Sequence, residues 1–167
     1  MGLREPLSAI AEDCGLPAAL DAMGERWSFM ILRAAFNRIY HFEEFQSQLG
    51  IARNILANRL ARLVDHGILK RTAMAEDRRK IEYRLTQKGM ALLPAMIALR
   101  QWGEKWGSGV PSTPVLVDKK DHQPIRPVTI RAHDDRTLGA MDLCWLHAEE
   151  IEPLGATREA EVTERVA

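Results

Sequence analysis

The sequence predicts an α+β fold in which helices predominate. Apolar residues recur at helical spacing up to residue 65, alternate with polar residues over two short segments between 68 and 85, and return to helical spacing over 87–106. Of the 167 residues, 46% are hydrophobic and 28% are charged, which is typical of a globular protein and argues against a fibrous or disordered chain. No apolar run approaches the roughly 18 residues of a membrane span, and the first residues lack the order of a secretory signal. We therefore expect a soluble, cytoplasmic protein.

Helical spacing of apolar residues predicts four helices in the first part of the chain. Pro17 suits the first turn of the earliest helix, because its missing N–H would have no helical partner there. Gly24 and Gly50 interrupt the pattern, and Gly67 suits the left-handed residue that follows many helices. The four helices are predicted at 17–23, 26–37, 41–49 and 51–65.

A β-hairpin is predicted after the fourth helix. Strand-like alternation covers 68–72 and 80–85, and the polar residues between them form the connecting loop. Thr86 is an acceptable N-cap for a further helix over 87–106. The apolar residues of that helix recur at alternating steps of four and three, which is typical of helices that pack along a seam. These residues are Leu92, Met96, Leu99, Gly103 and Trp106.

The chain is predicted to divide into a helical domain over 7–107 and a small β-containing extension over 115–150, joined by a linker rich in glycine, serine and proline. Short strands are expected at 115–117 and 128–130. The extension is too apolar for a free tail, so we expect it to pack on the helical domain or on a second protomer. The glutamate-rich end, 151–167, is expected to be flexible.

The formal net charge is zero, but the charges are unevenly distributed. Residues 1–50 carry 4 Lys/Arg and 7 Asp/Glu, residues 51–90 carry 10 and 4, and residues 91–167 carry 9 and 12. The middle segment is therefore basic and the two ends are acidic. A local basic block fits a phosphate-binding surface, and a solvated helix face is the alternative.

The order of helices, glycine turn, helix, hairpin and helix is the layout of a winged helix-turn-helix domain. In that layout the second helix of the pair enters the major groove of DNA, and the hairpin, or wing, reaches the neighbouring backbone. On a helical wheel of 51–65, the leucines form one buried stripe and the polar residues lie opposite. The leucines are Leu56, Leu60 and Leu63, and the polar residues are Asn54, Asn58, Arg62 and Asp65.

The polar residues of this helix are chemically able to read DNA. Arginine pairs bidentately with guanine and asparagine with adenine, so Arg53, Asn54 and Asn58 are predicted to contact bases. Arg59 and Arg62 lie further along and to the sides, where phosphates are the expected partners. A plain surface helix with solvated polar residues is the alternative interpretation.

Three adjacent cations, Arg78, Arg79 and Lys80, are predicted at the tip of the wing. They repel one another, and contact with phosphates would offset that repulsion. Decoration of an exposed edge for solubility is the alternative.

An ordered set of short motifs resembles the HxlR-type transcription regulators, which are relatives of the MarR group. The resemblance covers about residues 10–107 and implies a homodimer that binds palindromic operator DNA, with its terminal helices forming the interface. Two positions depart from the family pattern: Ala52 stands where a serine or threonine usually caps the recognition helix, and His41 stands where a basic residue usually precedes Phe42. The motifs are Cys14-Gly15-Leu16-Pro17, Met23-Gly24-Glu25-Arg26-Trp27, Phe42-Glu43-Glu44-Phe45, Gly50-Ile51, Gly67-Ile68-Leu69, Glu82-Tyr83-Arg84-Leu85-Thr86-Gln87-Lys88-Gly89 and Leu92-Leu93-Pro94.

The resemblance also makes Cys14 a candidate redox sensor, because several members of the family carry a sensor thiol just ahead of the first helix. A helix N-terminus favours the reactive thiolate, whereas the neighbouring Glu12 and Asp13 oppose it. A small residue packed at the dimer interface is the alternative role. Cys144 lies in an apolar context and is expected to be part of a core.

The sequence offers little support for an enzyme. The five histidines are dispersed, and no nucleophile elbow, phosphate loop or paired-cysteine ligand set occurs. We therefore predict no catalysis, cofactor or metal, and a sequence-specific, DNA-binding transcriptional regulator that acts as a homodimeric repressor. A redox or electrophile signal, or an unidentified small-molecule effector, is a candidate input. The alternative functions are a winged-helix module that binds protein rather than DNA and, third, a thiol-dependent redox catalyst.

Overall fold

The computed structural model describes residues 14–74, 77, 80–146, 148–151 and 153. The chain divides into two compact units, of which the larger ends at Val128 and the smaller begins at Thr129. The predicted tail beyond 151 lies almost entirely outside the described residues, as does the predicted start of the helical domain at residue 7.

The described part of the larger unit begins with four helices and a β-hairpin, which confirms the predicted α+β class. Glycines end two of these helices: Gly24 follows the first and Gly50, in the left-handed region with φ +60°, follows the third. The carboxylate of Glu44 stabilises the start of the third helix by accepting a 3.1 Å hydrogen bond from the backbone N–H of His41. The elements are α1 (Gly15–Met23), α2 (Arg26–Phe36), α3 (Phe42–Leu49), α4 (Arg53–Asp65), β1 (Leu69–Ala73) and β2 (Ile81–Leu85).

The core of this unit lies between α2, α3 and α4 and continues under the hairpin. Eight apolar side chains in it are almost fully buried, and each such leucine or isoleucine contributes about 1.5–3 kcal/mol relative to an exposed one. The three predicted leucines of α4 are among them, which confirms the predicted buried stripe. The eight are Ile31, Leu32, Phe45, Leu56, Leu60, Leu63, Ile68 and Leu69.

The hairpin is antiparallel, with Leu69 opposite Leu85 and Ala73 opposite Ile81. Its outer edge is attached to the segment before α3, because the backbone N–H of Tyr83 donates a 2.8 Å hydrogen bond to the carbonyl of Tyr40. The four helices and this anchored hairpin form a winged helix-turn-helix domain.

The prediction of a single helix over 87–106 is wrong, because the chain forms two separate helices there. A short α5 (Gln87–Met90) is followed by a turn at 91–92 and by α6 (Leu93–Trp102), which continues as a π-helical turn over Gly103–Ser108. Pro94 explains the break: it has no N–H to continue the α-helical ladder and stands in the first turn of α6, where that N–H is not needed.

α5 is held close to the end of α4 through the predicted N-cap, Thr86. Its hydroxyl accepts from the backbone N–H of Gly89 at 3.1 Å and donates to the carbonyl of Gly67 at 2.6 Å. A Cβ at Gly89 would lie 2.3 Å from the carbonyl oxygen of Ile68. The glycine therefore permits an approach of α5 to β1 that no other residue allows.

Part of the extension packs on α6, within the larger unit. The side-chain amide of Gln101 accepts from the backbone N–H of Val128 at 2.8 Å and donates to the carbonyl of Arg126 at 3.3 Å. Arg100 donates to the carbonyl of Pro114 at 2.7 Å. These contacts lie within the larger unit, which ends at Val128. In the first predicted strand of the extension, Val117 forms an isolated antiparallel bridge to Pro124.

The smaller unit contains a short hairpin, β3 (Ile130–Arg131) and β4 (Thr137–Leu138), followed by 3₁₀ turns. Cys144 is exposed, so its predicted burial in a core is wrong. Trp145 is also 56% exposed. A unit with two-residue strands has too little chain to enclose these side chains.

We predict that Gly89→Ala lowers the free energy of unfolding by about 1–3 kcal/mol, because its methyl group would force α5 away from Ile68. Chemical denaturation measures this. The matched control is Gly103→Ala, where a Cβ meets open space and alanine is expected to stabilise the helix by roughly 0.5–1 kcal/mol. Equal effects of the two substitutions would show that the close approach is not needed for stability.

Candidate nucleic-acid interface

The turn between α3 and α4 determines how α4 is presented. Gly50 takes the left-handed conformation, and Ile51 immediately after it is buried. The buried isoleucine holds the turn against the core, so that α4 starts at Arg53 with its first turn at the surface. The two helices and the intervening turn form the helix-turn-helix pair that the sequence predicts.

The outward side of α4 carries three of the predicted base-reading residues. Arg53, Asn54 and Asn58 are all exposed, whereas Leu56 and Leu60 of the same helix are completely buried. Within the part of the chain that the structure describes, these three side chains have no hydrogen bond or ion pair. Their donors and acceptors are therefore available to a ligand.

Arg59 and Arg62 are placed differently from the other cations of α4. Arg59 forms an ion pair with Glu25, and the guanidinium of Arg62 donates to a carboxylate oxygen of Asp21 at 2.6 Å. The same carboxylate has its other oxygen 3.8 Å from Nε2 of His66. Both arginines thus face the corner between α1 and α2, and their charges are matched within the fold rather than presented with Arg53.

The wing adds exposed cations that our sequence reasoning did not single out. Lys70 and Arg71 are exposed on β1, and Lys80, a predicted site residue, is exposed at the start of the returning strand. A signal was available, because the two cations of β1 follow directly after a buried apolar pair. The other predicted wing residues, Arg78 and Arg79, lie outside the described residues.

Arg84 on β2 is engaged within the protein. It donates to Glu82 at 2.7 Å, and its guanidinium carbon lies 4.2 Å from the centroid of the Tyr40 ring. This hydrogen bond and the positive charge lower the pKa of the Glu82 carboxyl group. The pair fastens the wing to the segment before α3.

The N-terminus of α4 lacks a side-chain cap. Ala52 occupies the capping position with extended backbone angles, φ −62° and ψ 137°, and its methyl side chain cannot accept a hydrogen bond from the helix. The first N–H groups of a helix have no partner within the helix and carry a partial positive charge. The exposed first turn of α4 is therefore electropositive, because both its unpaired backbone N–H groups and the Arg53 side chain carry positive charge.

Cys14 caps α1. Its sulfur accepts a 3.5 Å contact from the backbone N–H of Leu16, and the residue is partly exposed. The thiol therefore lies at a helix N-terminus, as the sequence predicts, and is reachable from solvent.

Neither a metal centre nor a membrane segment is found in the described part of the chain. No three histidine, cysteine, aspartate or glutamate residues in it are grouped so as to hold a metal ion. No helix of these residues is long and apolar enough to cross a membrane.

Comparison with known proteins agrees with the helix-turn-helix fold. The family model described as HxlR-like helix-turn-helix matches residues 22–110. Rv3095 of Mycobacterium tuberculosis, named an uncharacterized HTH-type transcriptional regulator, is 41% identical over 88 residues, which are 53% of this chain and 56% of that protein. The match thus spans just over half the length of this curated relative. YvaP of Bacillus subtilis, similarly named, is 33% identical over 89 residues, 53% of this chain and 82% of its own.

Solved structures extend the similarity beyond the helical domain. The crystal structure of PA1607, a protein proposed to be a transcription factor, is 39% identical with a TM-score of 0.76, and the match covers 84% of this chain and 99% of that one. PA1374 of Pseudomonas aeruginosa, proposed to have the same role, is 28% identical with a TM-score of 0.57, over 89% of this chain and 99% of its own. The winged-helix class of the fold is therefore shared with solved proteins.

We predict that Ala52→Ser raises the free energy of unfolding by about 1 kcal/mol, because a serine hydroxyl at this extended position would accept from an N–H of the first turn of α4. Thermal and urea unfolding measure the change. In the control, Ala57→Ser, the serine stands in the exposed middle of α4, where it is expected to lower stability by roughly 0.5 kcal/mol. A loss of stability in both variants would contradict the capping argument.

Proposed function

Because the chain belongs to the HxlR-like helix-turn-helix family, we propose that it is a transcriptional regulator that binds specific sequences of duplex DNA. In this proposal α4 lies in the major groove and the wing contacts the adjacent backbone. The major groove admits one helix and presents a distinct pattern of donors and acceptors for each base pair.

The observation that carries the proposal is the contrast between the two sides of α4. Arg53, Asn54 and Asn58 are exposed and have no hydrogen-bond or ion-pair partner among the described residues, whereas the other two arginines of the helix are paired internally. These three side chains have the donors and acceptors that read guanine and adenine edges. Arg59 and Arg62 contribute by holding α4 in place and are not the primary phosphate ligands in this proposal.

The wing supplies the backbone contacts. Lys70 and Arg71 on β1 and Lys80 just before β2 are exposed cations, and phosphate contacts of this kind position a protein on DNA without reading sequence. On sequence grounds Arg78 and Arg79 extend this set at the tip of the hairpin. The proposed site thus combines base readout by α4 with electrostatic anchoring by the wing.

We further propose that the protein acts as a homodimer on a palindromic operator. α6 and its continuation leave large apolar side chains in solvent, with Leu99 52%, Trp102 64% and Trp106 66% exposed, and on α1 Leu16 and Leu20 are about as exposed. Exposed apolar patches of this size mark protein contacts. A two-fold dimer would present two copies of α4 about 34–36 Å apart, or a multiple. Such a dimer represses transcription by excluding polymerase from the operator.

We propose that the DNA-binding activity responds to a signal, either oxidation or modification of Cys14 or the binding of an unidentified small-molecule effector. An oxidant or electrophile that modified the partly exposed thiol would remove the cap of α1. We place this activity in the cytoplasm, where the DNA and the reductants that restore a thiol are found.

We predict that Arg53→Ala and Asn58→Ala each reduce discrimination at one base pair per half-site by about 1–3 kcal/mol, because each removes a bidentate contact. Lys80→Ala should instead weaken binding to all sequences and reduce the slope of log affinity against log salt by about 0.9. Selection from genomic DNA fragments would provide the operator, and fluorescence anisotropy at several salt concentrations would measure both effects.

The control for this prediction is Lys119→Ala, which removes an exposed cation from a turn outside α4 and the wing and should change neither property. Unaltered base preference in the Arg53 and Asn58 variants would show that α4 does not read the groove. Failure to enrich any DNA, with capture of a protein partner instead, would favour the protein-binding alternative.

We predict that Trp106→Glu converts a micromolar dimer into a monomer, because it places a charge in the exposed apolar patch of α6 and its continuation. Sedimentation equilibrium measures the assembly state, and Lys119→Glu is the control for a change of charge elsewhere. A wild-type chain that is monomeric at micromolar concentration, with and without DNA, would refute the dimer.

A further inference from the structure

The first residues of α3 and α4 touch each other at the proposed DNA-binding surface. The guanidinium carbon of Arg53 lies 4.8 Å from the centroid of the Phe42 ring. This is a cation–π contact, in which a positive group is attracted to the negative face of an aromatic ring. It is the one polar or ring contact that the Arg53 side chain makes to the described residues.

The Phe42 ring is itself held in place. It is half-buried and packs against the buried core of the unit, and the backbone of the preceding residue is fixed by the carboxylate of Glu44. Arg53, by contrast, is exposed and stands in the first turn of α4. The contact therefore joins a rigid platform to a side chain that would otherwise sample many rotamers.

The contact between Arg53 and Phe42 lies at the protein surface. Phe42 and Arg53 line a cleft of about 530 Å³ together with Lys80 and Ile81 of the wing. This cleft lies between the start of α4 and the loop end of the wing, which are the two parts of the proposed site that approach DNA. The carboxylate of Glu43 also lines it, yet Arg53 is placed over the ring and not in an ion pair with a described residue.

Contact through the ring face is compatible with recognition of a base. The N–H donors of a guanidinium lie in its plane, so an arginine that meets an aromatic ring can still direct its edge to the O6 and N7 acceptors of guanine. Restricting the rotamers before binding reduces the ordering cost paid at the moment of contact. An arginine already placed in this way binds its base more tightly than a free one.

We propose that Phe42 is a positioning residue for base readout, which holds Arg53 over its ring in the orientation used to contact DNA. This inference rests on the proposed function, in which Arg53 reads a base. It assigns to a residue of α3 an effect on specificity that it exerts without contacting DNA itself.

The test measures operator binding of Phe42→Met and Phe42→Tyr beside Arg53→Ala. Methionine fills a comparable volume and keeps the apolar packing but removes the ring, whereas tyrosine keeps the ring. We expect Phe42→Met to weaken operator binding about 3–10-fold, with the loss confined to the base pair at which Arg53→Ala loses discrimination. Phe42→Tyr should retain wild-type affinity, and binding to non-operator DNA should be unchanged in both.

A double-mutant comparison separates positioning from general structural damage. If Phe42 acts through Arg53, the Phe42→Met/Arg53→Ala variant binds the operator as Arg53→Ala does, without a further loss. Losses that multiply, or a Phe42→Met variant with unaltered base preference, would overturn the inference. The ring-current shift of the Arg53 Nε–H resonance in the free protein checks the contact directly, and absence of that shift in the wild-type protein would also overturn it.

The outcomes also distinguish this inference from the proposed function. If Arg53→Ala changes base preference and Phe42→Met does not, base readout by α4 stands and the positioning role fails. If Arg53→Ala itself has no effect on base preference, both fail. Proper folding of each variant is established beforehand from its thermal unfolding midpoint.

Discussion

The burial of three leucines on one side of α4 is the constraint on which the proposed site depends. Leu56, Leu60 and Leu63 have no exposed surface, and together they fix the rotation of the helix about its axis. A turn of the helix that exposed them would lose several kcal/mol of apolar burial, which is a large fraction of the stability of a domain. The polar residues between the leucines therefore have only one direction to face. The interface is a consequence of packing.

Polar contacts refine the orientation that packing sets. The pairs Arg59–Glu25 and Arg62–Asp21 link the far side of α4 to the corner of α1 and α2. Ion pairs with this much exposure contribute little stability, typically about 0.2–1 kcal/mol each. Their value lies in orientation, because the Arg62–Asp21 pair joins α4 to α1, and the Arg59–Glu25 pair joins α4 to the residue just before α2. The Arg62–Asp21 pair is thus a direct contact between α1 and the proposed recognition helix.

The wing is positioned from both of its ends. At one edge Tyr83 pairs with Tyr40 next to α3, and beyond β2 the hydroxyl of Thr86 bonds the carbonyl of Gly67. The hairpin is therefore attached to the helix-turn-helix pair at both ends. This attachment lets α4 contact bases while the wing contacts the DNA backbone. The same chain leaves the apolar side chains of α6 exposed. The protomer is thus well packed around the proposed DNA-binding surface, whereas α6 leaves large apolar side chains exposed to solvent.

Local periodicity determined the first four helices and the hairpin from the sequence alone, because a helix repeats every 3.6 residues and a strand every two, but it missed the break at 91–92 in the helix predicted over 87–106. It predicted the buried leucines, the outward Arg53 and Asn58, and the hairpin. Tertiary structure alone decided the rest. Which arginines of α4 form ion pairs, and which one contacts an aromatic ring, depends on the positions of α1, α2 and α3 in space. Likewise the exposure of Cys144 depends on how much chain is available to cover it, which no local pattern records.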